Sequence, residues 1–557
     1  MNHQILARRG RAALAVLLGV LAVPAAQAQL ATNIAIDVKA MSLGNAVTAE
    51  PPGIMAIHFN PAGLANLEGR RIDLQFVAAD FALESRFTAP PDYGVFGFSD
   101  DPVVCNDPLN DGADNCREFT TGVSQSEGVS LYIPVINETV DLPPGPMMGG
   151  PLPAISIRPA GSKVTFANAL YMPMIAGFYR DENDPGRFLG KRVAMERITY
   201  LSPSVGWKVS DNWSVGGSIN LSYQAIALQT DFRAPNELLA FARILDESIC
   251  APFRGESNLA ADILLFGVCG TDEGLDPFKN LASMDMSMEQ RMSPTYNVGV
   301  LWEPHPDFAW GAVWQSSAPM DLKGKYKITY ANATRSTLNA IGRSVTGSLG
   351  LAILGIPGYL PESEAGLLSM KLTYPAHFQT GIKWRFLPRW KINVDAGWAD
   401  YGEWDAFNVQ FDRAAGALAI ARLVAPGSTS SSLSLPLGYE SNWSMGFGLE
   451  WDFTDRLSLR LGYEPRTSAI PDNRRSSLVP INNAVLYGLG LGYKWDQDSD
   501  VDVTFAYITS EDSIPADSSC MVNCTGLDNV VYNPYAGLDV ETKATIMYFG
   551  LAYRTTW

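Results

Sequence analysis

Few residues in this chain are placed to do covalent or metal chemistry. Three histidines, His58, His305 and His377, lie beyond the N-terminal leader considered below, and they are far apart. Neither a G-x-S-x-G elbow nor an H-E-x-x-H pair occurs, so no nucleophile or zinc-bound water is set up by local spacing. Isolated histidines are more often structural than catalytic, which argues against a surface lipase or protease. We therefore expect no enzymatic activity, no cofactor and no resident metal. One loop comes near a calcium site: Asp107, Asp111, Gly112, Asn115 and Glu118 fit its positional skeleton, with Glu118 twelfth. Leu109 breaks the third position, so a solvated acidic loop is the better reading. Asp496, Asp498 and Asp500 look similar but lack the following glycine and read as a turn.

Six cysteines fall into three local pairs, Cys105 with Cys116, Cys250 with Cys269, and Cys520 with Cys524. In an exported chain these read as disulfides that staple loops. Zinc is the rival, but no histidine lies near any pair and the pairs are distant from one another. Spacing alone does not fix the connectivity.

Export is indicated by the N-terminus. Arg8, Arg9 and Arg11 precede a short apolar run at 12–23, and Ala26-Gln27-Ala28 is a small-x-small cleavage site. The run is too short to cross about 30 Å of hydrocarbon. The expectation is a cleaved signal peptide at 1–28 and a mature chain starting near Gln29. No later stretch is apolar for long enough to be a membrane helix, which excludes a polytopic inner-membrane protein. A net charge of −17 argues against a nucleic-acid partner.

The elements are strands. From Asn442 to Phe453 the odd positions are Trp443, Met445, Phe447, Leu449, Trp451 and Phe453, with Gly, Ser, Asn, Glu and Asp between them. Val485, Tyr487, Leu489, Leu491, Tyr493 and Trp495 repeat the pattern, as do Trp213 to Tyr223 and Met547 to Trp557. Aromatics at strand ends suit interfacial girdles, and the small polar face suits a wet lumen. Tight turns near 159–162, 210–212, 304–307, 388–389, 454–455 and 496–499 alternate with long links near 89–151, 177–190, 233–284, 331–368, 412–437, 466–481 and 511–540. Six turns and seven links imply a fourteen-stranded antiparallel transmembrane β-barrel, all-β, over 69–557, with long extracellular loops. A barrel leaves no sheet edge unpaired in lipid. Residues 236–245, 259–268 and 338–354 carry apolar residues at helical spacing; they either pack on each other over the mouth or form a greasy groove.

Residues 29–68 do not alternate. They could form a periplasmic tail, but so apolar a segment would not stay solvated, and a plug in the lumen is preferred. Within it stands Asn60-Pro61-Ala62-Gly63-Leu64. This stretch resembles the hatch motif of the long-chain fatty-acid outer-membrane transporter (FadL/TodX) family. DLKGKYKITY at 321–330 is similar to that family's seventh strand, TYPAHFQTGIKWRF at 373–386 to its eighth, and IPDNRR at 470–475 to a loop before its twelfth. The matches run in family order over nearly the whole mature chain; the greater length and the three cysteine pairs are departures.

The resemblance implies energy-independent uptake of hydrophobic compounds, such as long-chain fatty acids or hydrocarbons. An apolar ligand would adsorb near the loops at 233–284 and 331–368, pass into a lumen pocket touched by residues 29–33, and leave sideways at a kinked third strand. Pro173 is the kink candidate, although Pro203, Pro294 and Pro375 also fall in strands. Lys323, Lys325, Arg474 and Arg475 are the candidate partners of a ligand carboxylate; alternatively they sit at the rim and face lipopolysaccharide phosphates. The expected setting is the Gram-negative outer membrane, as a monomer among outer-membrane lipids and lipopolysaccharide. The competing reading is a general diffusion porin with an aqueous pore, which would lack the apolar N-terminal segment.

Overall fold

A computed structural model describes residues 32–94, 121–133, 136, 138–142, 148–233, 280–423, 425, 427–476, 478, 482–525 and 533–557. The leader, the acidic loop from Asp107 to Glu118, the pairs Cys105/Cys116 and Cys250/Cys269, and the stretches 236–245 and 259–268 lie outside the described residues.

Fourteen strand positions close into one antiparallel barrel, several of them in two segments. They are β1 (Arg70–Thr88), β2 (Thr121–Ile133 and Met148–Ile157), β3 (Val164–Ala169 and Tyr171–Arg180) and β4 (Arg192–Leu201 and Ser204–Lys208). Next come β5 (Trp213–Phe232), β6 (Ala282–His305), β7 (Phe308–Gln315 and Ala318–Tyr330) and β8 (Ser363–Tyr374 and His377–Leu387). The last six are β9 (Trp390–Ala399 and Ala406–Phe411), β10 (Ser432–Pro436 and Asn442–Asp452), β11 (Leu457–Arg466), β12 (Ala484–Lys494), β13 (Ser499–Ile514) and β14 (Asp539–Thr556). Strand β14 pairs with β13 on one side and β1 on the other, which closes the wall.

The period-2 pattern sorts the side chains as the sequence suggests. Leu74 and Phe76 on β1, Leu489 and Leu491 on β12, and Phe549 and Leu551 on β14 are exposed on the outer surface. Tryptophans mark the lower edge of this apolar band, with Trp213 stacked on Trp302 at 5.8 Å and Trp390 on Trp451 at 5.0 Å. The prolines within strands mark irregularities. Pro203 and Pro375 stand in the breaks of β4 and β8, Pro294 beside a register shift of β6, and Pro173 inside one between β3 and β4.

Two expectations change. The link assigned to 89–151 is not all loop. Thr121 to Gln125 pairs with the top of β1 as the upper half of β2. The chain then leaves the wall, turns back through a strand at Glu138–Leu142, and rejoins β1 at Met148. This hairpin lies on the outside of the barrel. Tyr132 covers Ala194, Tyr223, Ala225 and Ala227, and Asp141 pairs with Arg192. Its Ser130 carbonyl passes so close to Gly177 that a Cβ there would collide with it. The stretch at 338–354 is two helices, α1 (Asn332–Arg343) and α2 (Val345–Leu354), because Ser344 is extended and caps α2 through Gly347.

The second change concerns the inward glycines. As expected of a plug, a strand at Thr32–Ala35, a helix at Val38–Ser42 and short turns as far as Asn66 lie inside the barrel. Ile36, Met41, Leu43, Ile54, Ile57 and Phe59 are almost completely buried there. The glycines read as lining a wet lumen instead form the seat of this segment. A Cβ on Gly216, Gly299, Gly311, Gly446, Gly462 or Gly488 would come nearer than 3.0 Å to its atoms. Close approach of backbone to backbone, not hydration, is why those inward positions lack side chains.

Candidate functional site

Each residue of the Asn60-Pro61-Ala62-Gly63 stretch has a steric or hydrogen-bonding reason for its type. Asn60 is extended and fully buried, and its Oδ1 accepts the Ala62 amide at 3.1 Å. Its Nδ2 donates to the carbonyl of Thr48 at 2.9 Å and to that of Val300 on β6 at 3.0 Å. One side chain thus caps a helical turn, ties the segment to itself and ties it to the wall. Pro61 occupies the first position of that turn, where a missing amide proton costs nothing. Ala62 is fully buried, and at Gly63 a Cβ would strike the Pro51 ring.

Other strands hold the segment by its backbone. Gln75 accepts from the Val38 amide at 2.8 Å, Thr504 donates to the Val38 carbonyl at 2.6 Å, and Asn297 donates to the Ile57 carbonyl at 2.9 Å. These contacts give wall partners to buried peptide groups in helical turns too short to satisfy all of their own.

A row of buried charges runs along the inner wall from β9 to β1. Lys391 pairs with Glu450 at 2.8 Å, Glu450 with Arg460 at 2.7 Å, and Arg460 with Asp502 across β12. Gly492 makes that crossing possible, because a Cβ there would meet the Arg460 guanidinium. Arg554 then joins Asp502 to Asp73. The N-terminal segment enters the row at both ends, with Asp37 3.0 Å from Arg554 and Glu50 2.7 Å from Lys391. Burial alone would raise the Glu50 carboxyl, but Lys391 holds it down to about 2. Sequence reading missed this row; its signal is charge at inward parity within strands.

Above the segment the lumen turns apolar. Met284, Met286 and Met288 on β6, Met320 on β7 and Met370 on β8 are buried on the inner face. At the mouth a cavity of about 270 Å³ opens onto Met284, Ile328, Tyr330, Leu360, Leu418 and Leu433. Beside it α2 exposes an apolar stripe, with Val345 79 %, Leu349 63 % and Ile353 76 % accessible. Below the methionines lies a layer of polar aromatics and one cation. Arg197 is buried, donates to Gln224 at 2.5 Å and Ser293 at 3.3 Å, and sits 4.3 Å from the centre of the Tyr374 ring. Among the described residues it has no carboxylate partner. His58, in contact with Tyr171 and 2.9 Å from Asn33 Oδ1, is held down to about 3 by burial and by His377.

This layer meets an irregular part of the wall. Strand β3 breaks at Leu170, where Ser202 Oγ substitutes for ladder partners by accepting from the Ala169 amide at 2.9 Å and donating to its carbonyl at 2.7 Å. Ladder pairing between β2 and β3 covers Ala154 to Ala169 below and Gly128 to Tyr179 above. Between them the edge of β3 is taken by the N-terminal strand, Thr32 opposite Met174 and Ala35 opposite Met172. Pro173 lies in that stretch.

The four candidate cations do not converge. Lys323 and Lys325 are exposed on the outer face, because Leu322 and Tyr326 take the inner one. Arg475 pairs with Asp472 and Asp512 while its carbonyl accepts from Ser519 at 2.6 Å, which fixes the loop of the Cys520–Cys524 disulfide. Arg474 is half-buried in the short turn before it. Alternation along β7 puts the two lysines on the outer face, and the disulfide loop holds the two arginines apart from them.

A closed barrel with an apolar outer band and residues 32–66 seated in the lumen defines a transmembrane β-barrel of the plugged kind. The chain belongs to the outer membrane protein transport family (OMPP1/FadL/TodX), which residues 17–557 match, and its place is the outer membrane. A long-chain fatty acid transport protein of Escherichia coli O6:H1 is 23 % identical over 38 % of this chain and 41 % of its own length. That of E. coli K12 is 20 % identical over 58 % and 62 %. The alignment therefore spans less than two thirds of these curated relatives. Among solved structures, a Pseudomonas aeruginosa FadL homologue superposes with a TM-score of 0.63 at 17 % identity, over 95 % of this chain and all of that one. The toluene transporter TodX of P. putida gives 0.54 at 12 % identity, over 95 % and 99 %.

Proposed function

We propose that this chain takes up hydrophobic compounds, long-chain fatty acids or hydrocarbons, across the outer membrane by energy-independent diffusion. Ligand adsorbs on the stripe of α2, enters the mouth cavity and moves down the methionine lining, whose flexible thioethers adapt to varied shapes. Residues 29–68 act as the hatch, and the chain works as a monomer after loss of the leader. Displacement of Thr32–Ala35 from the edge of β3 opens a lateral exit at Pro173. Arg197 is the cation best placed to receive a carboxylate on that path. The observation that carries this reading is a methionine-lined upper lumen beneath the mouth cavity, set above a stretch of β3 whose edge is taken by the N-terminal strand. The curated relatives' names support the fatty-acid side of the substrate range, and TodX supports the hydrocarbon side.

Two measurements test it. In planar bilayers the intact protein should pass little ionic current, and deletion of residues 32–66 should create a steady one. A large steady current from the intact chain would instead mean an aqueous porin. In cells, Asn60→Ala and Pro61→Ala should abolish uptake of labelled oleate while the barrel still assembles; wild-type uptake by either variant sinks the hatch assignment.

A further inference from the structure

The outward lysines of β7 remain unexplained by the transport route, since the wall separates them from the lumen. Lys323, Lys325 and Lys327 occupy successive outward positions, and Lys371 lies across from Asp321 on β8. Lys323 and Lys325 rise from a trough of about 680 Å³ on the outside of β6 to β9. Its floor includes Ser287, Gly324 and Ser369, one end is Tyr132 of the external hairpin, and the other is Gln410 to Asp412.

Most carboxylates around the trough are already engaged. Glu289 pairs with Arg291 at 3.0 Å and accepts from Tyr223 at 3.0 Å, and Asp412 pairs with Arg413 at 2.9 Å. Asp321 is 3.7 Å from Lys323, and Asp285 stands opposite Lys327 in register. Among the described residues Lys325 and Lys371 make no ion pair. On the β1, β13 and β14 side of the upper outer wall the cations are paired and carboxylates outnumber them: Lys543 pairs with Glu511 at 2.6 Å and Arg86 with Glu84 at 2.9 Å, with Glu541 beside them. In a chain of net charge −17 the lysine face is therefore distinct.

Height identifies the occupant. A strand tilted by about 40° climbs about 2.5 Å per residue, so a band about 25 Å tall uses about ten residues. Counted from Phe308, the band ends near Ala318, which puts Lys323 to Lys327 about 12–23 Å above the hydrocarbon edge. Molecules there carry acyl chains in the bilayer and anionic groups just outside it.

We propose that this trough docks the anionic head of an outer-leaflet lipopolysaccharide. Lys323 and Lys325 bind its phosphates or acidic sugars, Lys327 and Lys371 flank them, and the external hairpin forms a side wall. The acyl chains then lie along the lipid-facing surface below, past Trp314 and Phe378, both exposed outward. Lysine suits this ligand as a point charge on a flexible stem that can follow a variable pattern of anions.

The test uses the full-length protein, purified in mild detergent from cells with normal lipopolysaccharide. Bound lipopolysaccharide is quantified by lipid A mass spectrometry per mole of chain. The wild type should retain about one molecule per chain, and Lys323→Ala/Lys325→Ala/Lys371→Ala should lose at least fivefold. Arg86→Ala/Lys543→Ala, on another face, should retain the wild-type amount. Oleate uptake by the triple variant should stay at the wild-type level, which separates this docking site from ligand capture. Heat-modifiable mobility reports folding, and the single exposed substitution Lys325→Gln, expected to halve retention, serves if the triple variant misfolds. Retention by the lysine variants equal to wild type overturns the proposal. So does loss of uptake with lipopolysaccharide unchanged, which would return the lysines to ligand capture.

Discussion

Gly216 and Gly217 are neighbours on β5, and the wall gives them opposite tasks. A Cβ on Gly216 would drive into the Pro61 carbonyl group, whereas one on Gly217 meets only the Asn297 carbonyl at 3.5 Å. We predict that Gly216→Val unseats the hatch and produces steady current in planar bilayers, whereas Gly217→Val leaves the barrel silent. Equal behaviour of the two variants would refute the seating role of the inward glycines. The alternation that places Gly216 inward was legible in the sequence, but its cause was not. Nothing in strand periodicity distinguishes a position left bare for water from one left bare for another backbone. The motif residues were easier, since Asn-Pro at a turn start carries its own local logic. Arg197 went unnoticed because one arginine among alternating residues carries no local signature; its meaning comes from Gln224, Ser293 and Tyr374 gathered by three other strands.

At the level of elements, the N-terminal segment proposed as the hatch is an apolar piece bolted to a charged wall. Removing one partner of a charged hydrogen bond typically costs about 1.5–3 kcal/mol. Asp37→Asn should fall in that range, because Arg554 keeps Asp502 and Asp73. Amide exchange over residues 36–66 should accelerate about tenfold or more, while β12 to β14 stay protected. Acid should act the same way. A freed His58 would titrate near 6.5, whereas burial and His377 hold the docked group to about 3. The docked state therefore loses stability as pH falls from about 6.5 to 3. Glu50 adds to this from about 4.5 down to 2, since its docked carboxylate is the more acidic form. Current recorded at pH 7 and pH 4 should rise at the lower pH, and rise less in His58→Gln. The strands themselves were legible wherever lipid imposes an apolar face. Thr121–Ile133 was not, because it stands where outward residues meet water and the hairpin, so its sequence lacks that pattern.

For the whole molecule, the outer surface separates into an apolar band and a charged upper wall, and the interior into a bolted lower half and an apolar upper half. The sequence announced the band but not this vertical division, which depends on where loops fold back. One contact spans nearly the entire chain: Asp37 and Arg554 are 517 residues apart, and Arg554 lies on the strand that zips to β1. Seating the plug and closing the wall are therefore linked equilibria, each lowering the free energy of the other. A barrel deprived of residues 32–66 should then melt at a lower temperature and open first at the seam between β14 and β1. The segment proposed as the cargo gate would then double as a keystone of assembly.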